Sequence, residues 1–518
     1  MKTDFNHRAH KVLLTGVRLL ARNTLINLGG MIFPILIAIG AMPFLIRGLG
    51  TARFGILTLA WMVIGYSSVF DLGLGRALTK IVAEKIGKGE EGEIPGLVWT
   101  AQAFMIGLGA AAGLMLSLLA PRVIHLFKIP NDLRGEALHT VYVLAFCLPI
   151  VISTAGLRGV LEARQRFDMT STIWALMGIS NFLGPLMVLP FSQSLTSVVA
   201  VITVFRILAW VVHLRLCISV FPSLVHFGVA RIAVRSLFAL GGWMTVSNLV
   251  NPLLLSADRF MIGAIVSITA VAYYATPYEM MMRILVIPGA LTGVLFPAFS
   301  TSNAGDRERT CRLFTWATKI IYLCMFPLIL AIVMFGGFGL RLWLGPEFAA
   351  RSTHVLQIFA VNVFLSSLGL VAFVLIQAAG RPDVTAKINF FELIMYLPLA
   401  WVLIHVRGIE GAAWAWFGRV AVDTVILFLV VRRLFPGTAA MVRRMGVFLG
   451  ITVSFFLLLT VPHATPAYIG LLALIMSAFV IVGWLFVLVP DERLQLRKYW
   501  VERNWVRLVP SFLRQGND

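Results

Sequence analysis

The sequence contains few charged residues and no polar stretch long enough to link separate domains. Charged residues occupy 13% of the 518 positions, hydrophobic residues occupy 59%, and the mean hydropathy is +0.91. A string of soluble domains needs far more charged surface, so this composition excludes that class of protein. We therefore predict an integral membrane protein with one polytopic body.

Cysteine is also scarce, and the motifs of common catalytic sites are missing. The four cysteines are scattered along the chain, without a CxxC pair or a Cys/His cluster. Neither a disulfide framework nor a zinc site is therefore predicted. No GxxxxGK[ST] loop occurs to cradle nucleotide phosphates, and no HExxH occurs to bind a metal. We expect neither ATP hydrolysis nor catalytic or metal-binding residues in this chain.

Basic residues outnumber acidic ones, which gives a formal net charge of +20. Such an excess often indicates nucleic-acid binding. Here, however, the basic residues lie in short segments between apolar runs, as the positive-inside rule of membrane proteins predicts. We expect a lipid bilayer, and no nucleic acid, as the partner of these charges.

Fourteen apolar runs are long enough to cross a bilayer, which takes about 20 helical residues. They predict an all-α membrane protein with spans at 23–46, 54–75, 95–120, 138–157, 170–190, 195–214, 236–262, 270–299, 320–340, 353–378, 388–406, 409–431, 445–462 and 466–489.

The distribution of lysine and arginine predicts the orientation of these spans. With a cytoplasmic N-terminus, 31 of the 43 basic residues fall in cytoplasmic segments, 8 in outer loops and 4 within spans. This bias over short loops places both termini in the cytoplasm. The amphipathic N-terminal segment 1–22 and the basic cytoplasmic tail 490–518 are then expected to lie at the inner membrane surface.

A short internal echo divides the chain into two lobes. Phe44-Leu45-Ile46, at the end of span one, matches Phe260-Met261-Ile262, at the end of span seven, 216 residues later. Both spans enter the membrane from the same side, so the echo predicts a parallel repeat about an axis along the membrane normal. The predicted lobes are 23–220 and 221–435, six helices each around a central cavity, with two extra C-terminal helices in 436–489.

Several motifs, in their order along the chain, resemble those of one transporter family. They are Arg22-Asn23-Thr24 with Asn27, the turn Gly50-x-x-Arg53-Phe54-Gly55, the stretch Asp71-Leu-Gly-Leu-Gly, the run Asp258-Arg259-Phe-Met-Ile-Gly and the pair Tyr273-Tyr274. Over roughly residues 15–435 the chain resembles the polysaccharide flippases of the MOP superfamily, of the Wzx type.

This resemblance implies a transporter of the bacterial inner membrane and not an enzyme. The family moves an undecaprenyl-diphosphate-linked oligosaccharide from the cytoplasmic to the periplasmic leaflet by alternating access, for O-antigen or exopolysaccharide synthesis. We then expect a monomer, with other polysaccharide-assembly membrane proteins as partners. Two alternatives remain, a cation-coupled small-molecule exporter of the same superfamily and a membrane glycan polymerase or ligase. The longest outer loop, about 121–137, is too short to favour the polymerase or ligase, which needs room outside the membrane for its reaction on sugars.

Arginines within the spans are the candidate substrate-binding residues. Ionisable groups in hydrocarbon cost about 2.5–3.5 kcal/mol each on insertion scales and usually face a cavity or a partner. All four span cations are arginine, a residue that binds phosphate oxygens through two parallel hydrogen bonds. The candidates are Arg206, Arg259, Arg283 and Arg419 within spans, with Arg76 at the inner mouth.

The acidic residues within the spans are candidates for carrying a coupling cation, H⁺ or Na⁺, and no other cofactor is expected. They are Asp258, Glu279, Glu392 and Asp423. The alternative is that they lock helices together. Glu279 with Arg283, and Arg419 with Asp423, are four residues apart and could pair along one helix.

Reporter fusions test the predicted topology. Fusions after Ser194, Ser267 and His463 are expected to report a periplasmic location, because each site follows an odd number of predicted spans. A cytoplasmic signal from the Ser267 fusion would contradict the division into two lobes.

Overall fold

The computed structural model describes residues 33–65, 71, 73–228, 256–303 and 306–459, and within these ranges the regular structure is entirely helical. The chain divides into two compact units, Met1–Ala275 and Thr276–Asp518. The boundary falls inside a helix, and the lobe boundary at residue 220 stays a prediction.

The first unit contains eight described helices and the start of a ninth. They are α1 (Phe33–Leu49), α2 (Thr51–Gly65), α3 (Leu74–Lys88), α4 (Ile94–Leu126), α5 (Arg134–Ala163), α6 (Phe167–Val188), α7 (Leu195–Val220), α8 (256–265) and the first part of α9 (Ile268–Ile284).

The second unit continues α9 and adds five further described helices. They are α10 (Val286–Asn303), α11 (Arg307–Leu344), α12 (Pro346–Ala378), α13 (Pro382–Leu434) and α14 (Ala439–Leu459). The core of this unit forms around α12, the most buried helix, which packs against α10, α11, α13 and α14.

The predicted all-α membrane fold is confirmed. Among the described residues, nine helical stretches are long and apolar enough to cross a bilayer. The predicted segment 1–22, the span 466–489 and the tail 490–518 lie outside the described residues, as does most of the predicted span 236–262.

Two segments that hydropathy treats as short connections are largely helical. The segment 76–94 contains most of α3, and the segment 300–319 contains the first three turns of α11. At 38 residues, α11 is about 57 Å long, well beyond the bilayer core. Hydropathy marks where the apolar surface ends, whereas backbone hydrogen bonding continues along the charged end of a helix.

A buried aspartate starts α3. The Asp71 Oδ1 accepts a hydrogen bond from the Gly73 N–H at 2.8 Å, and Asp71 is 5% exposed. Gly73 has φ of +73°, a conformation that glycine adopts without a steric penalty. Gly73 therefore marks the start of α3 at Leu74, which lies inside the predicted span 54–75.

Small residues let α4 and α5 approach closely. Gly109 and Gly113 are four residues apart on α4, and a Cβ at either would collide with the α5 backbone at Pro149 or Ala145. This is the small-xxx-small arrangement that brings membrane helices together without a hydrophobic driving force.

The helix α13 is a tight hairpin of two arms. Gly408 interrupts it with φ of 58° and ψ of −133°. The predicted spans 388–406 and 409–431 are thereby confirmed as separate arms. A Cβ at Gly411 would collide with the Leu403 carbonyl, so the arms can meet this closely only because position 411 is glycine.

The same turn occurs in both units, 215 residues apart. After α5, Gln165 has φ of +60°; after α12, Gly380 has φ of +76°. The Gln165 and Gly380 N–H groups donate to the carbonyls of Glu162 and Gln377, at 2.9 and 3.0 Å. This matched C-cap supports the internal repeat that the echo predicts.

The helix that follows each of these turns begins with a matched ion pair. Arg166 binds both carboxylate oxygens of Asp168 before α6, and Arg381 binds both oxygens of Asp383 before α13. These hydrogen bonds hold the pKa of Asp168 and of Asp383 below its usual range, so both first-turn acids stay charged.

Candidate functional site

In the first unit, an arginine on α7 contacts an amide on α6. The half-buried Arg206 donates from Nη2 to Asn181 Oδ1 at 2.9 Å. Among the residues that the structure describes, no carboxylate pairs with Arg206. A guanidinium has five N–H donors, so one neutral partner leaves most of its charge and donors for another ligand.

In the second unit, an arginine on the second arm of α13 binds a carboxylate on the first arm. Arg419 Nη1 donates to Glu392 Oε2 at 3.0 Å, and the side chains are 15% and 3% exposed. The guanidinium lies 4.2 Å from the ring centroid of Trp416 and 5.8 Å from that of Tyr396. Stacking on aromatic faces offsets part of the cost of burying the charge.

A second acid completes this cluster. Asp423, half-buried one turn after Arg419, lies close enough to Glu392 to interact with it electrostatically. Arg419, Glu392 and Asp423 together therefore place two acids beside one cation, and Glu392 Oε1 has no hydrogen-bond partner among the described residues.

The two units place their arginines in corresponding positions. Arg206 and Arg419 are 213 residues apart, and their partners Asn181 and Glu392 are 211 residues apart. In both units, the helical segment that ends at a Phe-Pro turn carries the arginine. The oxygen that binds this arginine lies on the preceding helical segment, which is α6 in the first unit and the first arm of α13 in the second. The partner differs: a neutral amide in the first unit and an acid in the second.

Asp258 and Arg259 are buried on α8, at 0% and 3% exposure. The Tyr274 hydroxyl donates to Asp258 Oδ2, and the Arg259 N–H donates to Oδ1 at 2.8 Å. Both oxygens of Asp258 are thus held by donors of the chain itself. This arrangement favours a structural role over the predicted coupling role.

The other predicted site residues are on different helices from these clusters. Glu279 and Arg283 are half-buried on α9, one turn apart, and Arg76 is exposed on α3. Of the predicted site residues, the structure brings together Arg419 with Glu392 and Asp423.

Sequence reasoning missed the partners on neighbouring helices. Asn181, Tyr396 and Trp416 were not singled out, although a lone amide in an apolar run is itself a polar signal. It also missed Glu136, which binds Arg53 at 2.9 Å and accepts from the Leu195 N–H. This carboxylate ties the starts of α2, α5 and α7 together.

The α13 ion pair is expected to show strong coupling in stability. Arg419→Met leaves Glu392 without its counter-charge, and breaking a buried pair in this way costs about 3–5 kcal/mol. The double variant Glu392→Leu/Arg419→Met is expected to recover much of that loss, because no uncompensated charge remains at this pair. Thermal unfolding of the solubilised protein measures both effects.

Arg351→Met is the matched control for this cycle. Arg351 and Glu347 form an exposed pair on α12, at 63% and 78% exposure, which is expected to contribute little. Additive losses in the Glu392/Arg419 double variant would mean that the pair makes no net contribution.

The chain matches a known family over more than half of its length. The sequence profile of the family described as "Polysaccharide biosynthesis protein" matches residues 20–303. The chain is similar to the "Putative O-antigen transporter" of Shigella flexneri, at 29% identity over 410 residues, which cover 78% of this chain and 96% of that protein. It is 21% identical over 404 residues to the lipopolysaccharide biosynthesis protein WzxC of Escherichia coli K12, covering 75% of this chain and 76% of that protein.

Solved structures show the fold. A multidrug resistance MATE family transporter of the MOP superfamily, in an inward-facing conformation, aligns with a TM-score of 0.66 at 14% identity over 81% of this chain and 99% of its own. The lipid II flippase MurJ aligns with a TM-score of 0.62 at 12% identity, covering 89% of this chain and 99% of its own. The chain therefore has the MOP superfamily fold.

Proposed function

The chain belongs to the polysaccharide biosynthesis protein family, and from this we propose that it flips a lipid-diphosphate-linked oligosaccharide across the membrane. Transport, and not catalysis, is the activity of this protein. The substrate is an undecaprenyl-diphosphate-linked oligosaccharide used for surface polysaccharide synthesis, and alternating access moves it from the cytoplasmic to the periplasmic leaflet.

The observation that carries this proposal is the environment of Arg206. Within the part of the chain that the structure describes, this half-buried guanidinium is bound to one amide and its charge is not balanced by a carboxylate. A diphosphate supplies about two negative charges and planar arrays of acceptor oxygens, which match the guanidinium fork. In our proposal Arg206 binds this headgroup, after Arg76 attracts it at the cytoplasmic side. Arg259, Arg283 and Arg419 are the further candidates for contact with the substrate.

A cation-coupled small-molecule exporter is the second candidate. The Glu392–Asp423 pair favours it, since exporters of cations need acidic groups in their path. The two functions differ in which charges they need, so loss of arginine charge and loss of carboxylate charge separate them.

Loss of arginine charge is expected to stop export. Arg206→Ala and Arg283→Ala should each abolish surface glycan at normal protein levels, and Arg419→Ala should abolish it at a lower protein level, because it also breaks the buried pair with Glu392. Lysine at the same positions should restore export partially, because it keeps the charge but not the fork. Surface glycan staining and membrane immunoblots measure the two quantities.

Arg215→Ala is the matched control, because Arg215 is exposed near the end of the same helix as Arg206. It should export normally. Normal export by all three alanine variants within the spans would show that those arginines are structural and would remove the support for an anionic substrate.

The coupling cation in this proposal is a proton carried by Glu392 and Asp423. Glu392→Gln and Asp423→Asn keep the shape of the pair, but each removes one of its two proton-exchanging groups, and in our proposal both are needed. Flipping by each variant is expected to lose its response to an imposed pH gradient across vesicles. Glu410→Gln, at the opposite end of the same hairpin, should keep that response; a full response in both pair variants would exclude this site.

The proposed location is the bacterial inner membrane, with both termini in the cytoplasm. We propose that the protein acts as a monomer beside other membrane proteins of polysaccharide assembly. The basic bias of the predicted cytoplasmic segments supports the orientation.

A further inference from the structure

A groove lies between the second arm of α13 and α14. Its cavity volume is about 340 Å³. Phe428 and Leu429 from α13 and Val447 from α14 form apolar walls, and Arg432 and Arg443 lie at one end. The two arginines share that end because α13 finishes and α14 starts there, joined by the short turn Pro436–Thr438.

The charge at this end is positive and unbalanced. Arg432 and Arg443 are exposed, and within the described part of the chain neither forms an ion pair. The sequence contains no acidic residue between Asp423 and Asp491. It does contain a further arginine directly after each of the two groove arginines, Arg433 after Arg432 and Arg444 after Arg443. The groove thus combines apolar walls with a cationic end at the predicted cytoplasmic surface.

We propose that this groove holds an anionic diacyl phospholipid of the surrounding membrane. The headgroup phosphate lies between Arg432 and Arg443, and an acyl chain lies along Phe428, Leu429 and Val447. Basic pockets between membrane helices on the cytoplasmic side suit anionic headgroups, and guanidinium binds phosphate in a bidentate manner. The basic tail 490–518 is a poor occupant, because it would bring further positive charge to the arginines.

The arginine pairs flanking the turn provide a matched test. Arg432 and Arg443 line the groove, whereas their neighbours Arg433 and Arg444 do not. Arg432→Gln/Arg443→Gln is expected to weaken binding of phosphatidylglycerol to the full chain about thirtyfold, because both arginines that contact the headgroup phosphate are lost. Arg433→Gln/Arg444→Gln removes the same charge and should leave the dissociation constant within about twofold of that of the unaltered chain.

Native mass spectrometry of the detergent-solubilised chain, titrated with phosphatidylglycerol, measures these constants. Equal weakening by both double variants would overturn the proposal, since it would indicate a general surface charge effect. So would displacement of phosphatidylglycerol by a lower concentration of a polyprenyl diphosphate, which would assign the groove to the transported lipid.

The shape of the groove allows a second test. A Cβ at Gly446 or at Gly450 would meet open space, but only Gly446 lines the groove. Gly446→Leu is therefore expected to reduce phosphatidylglycerol binding at least tenfold, and Gly450→Leu to leave it unchanged. A photoreactive amino acid in place of Val447 should form an adduct with the mass of a phospholipid. A crosslink to residues 460–518 or to a second copy of the chain would overturn the proposal.

Discussion

The free-energy cost of burying a guanidinium charge among apolar helices is the main constraint on this structure. Each unit meets that cost in the same place, by giving the arginine an oxygen on the preceding helix. Arg419 receives a carboxylate and an aromatic face, so most of its charge is compensated within the chain. Among the described residues, the partner of Arg206 is a neutral amide. The same local architecture therefore gives one arginine paired with an acid and one paired with a neutral amide.

This difference fits separate roles for the corresponding positions Arg206 and Arg419. The first unit keeps a permanent positive charge with spare donors, which suits an anionic headgroup. The second places two acids, Glu392 and Asp423, beside Arg419, which suits the proposed proton coupling. Substrate recognition and proton coupling would then use equivalent helices of an internal repeat whose turns match closely at Gln165 and Gly380.

The span pattern could be predicted from the sequence, because hydropathy reports what lipid contacts. Even the boundary between spans eleven and twelve matched the break at Gly408. Helix ends were less predictable: α3 and α11 continue through charged residues because helical hydrogen bonds do not depend on hydropathy. The hydrogen-bonding and ionic partners of the buried charged residues were the least predictable. Arg419 and Asp423 are neighbours by helical period, but Glu392 is 27 residues away and joins them only through the hairpin.

Reconstitution of the purified chain alone in liposomes tests the central claim most directly. A fluorescent oligosaccharide on a polyprenyl diphosphate would start in one leaflet, and its exposure in the other would be followed with a membrane-impermeant quencher. Our account predicts flipping without ATP, faster under a pH gradient and slowed by Arg206→Ala. Absence of flipping while the same liposomes transport a small organic cation, or a strict need for ATP, would contradict it.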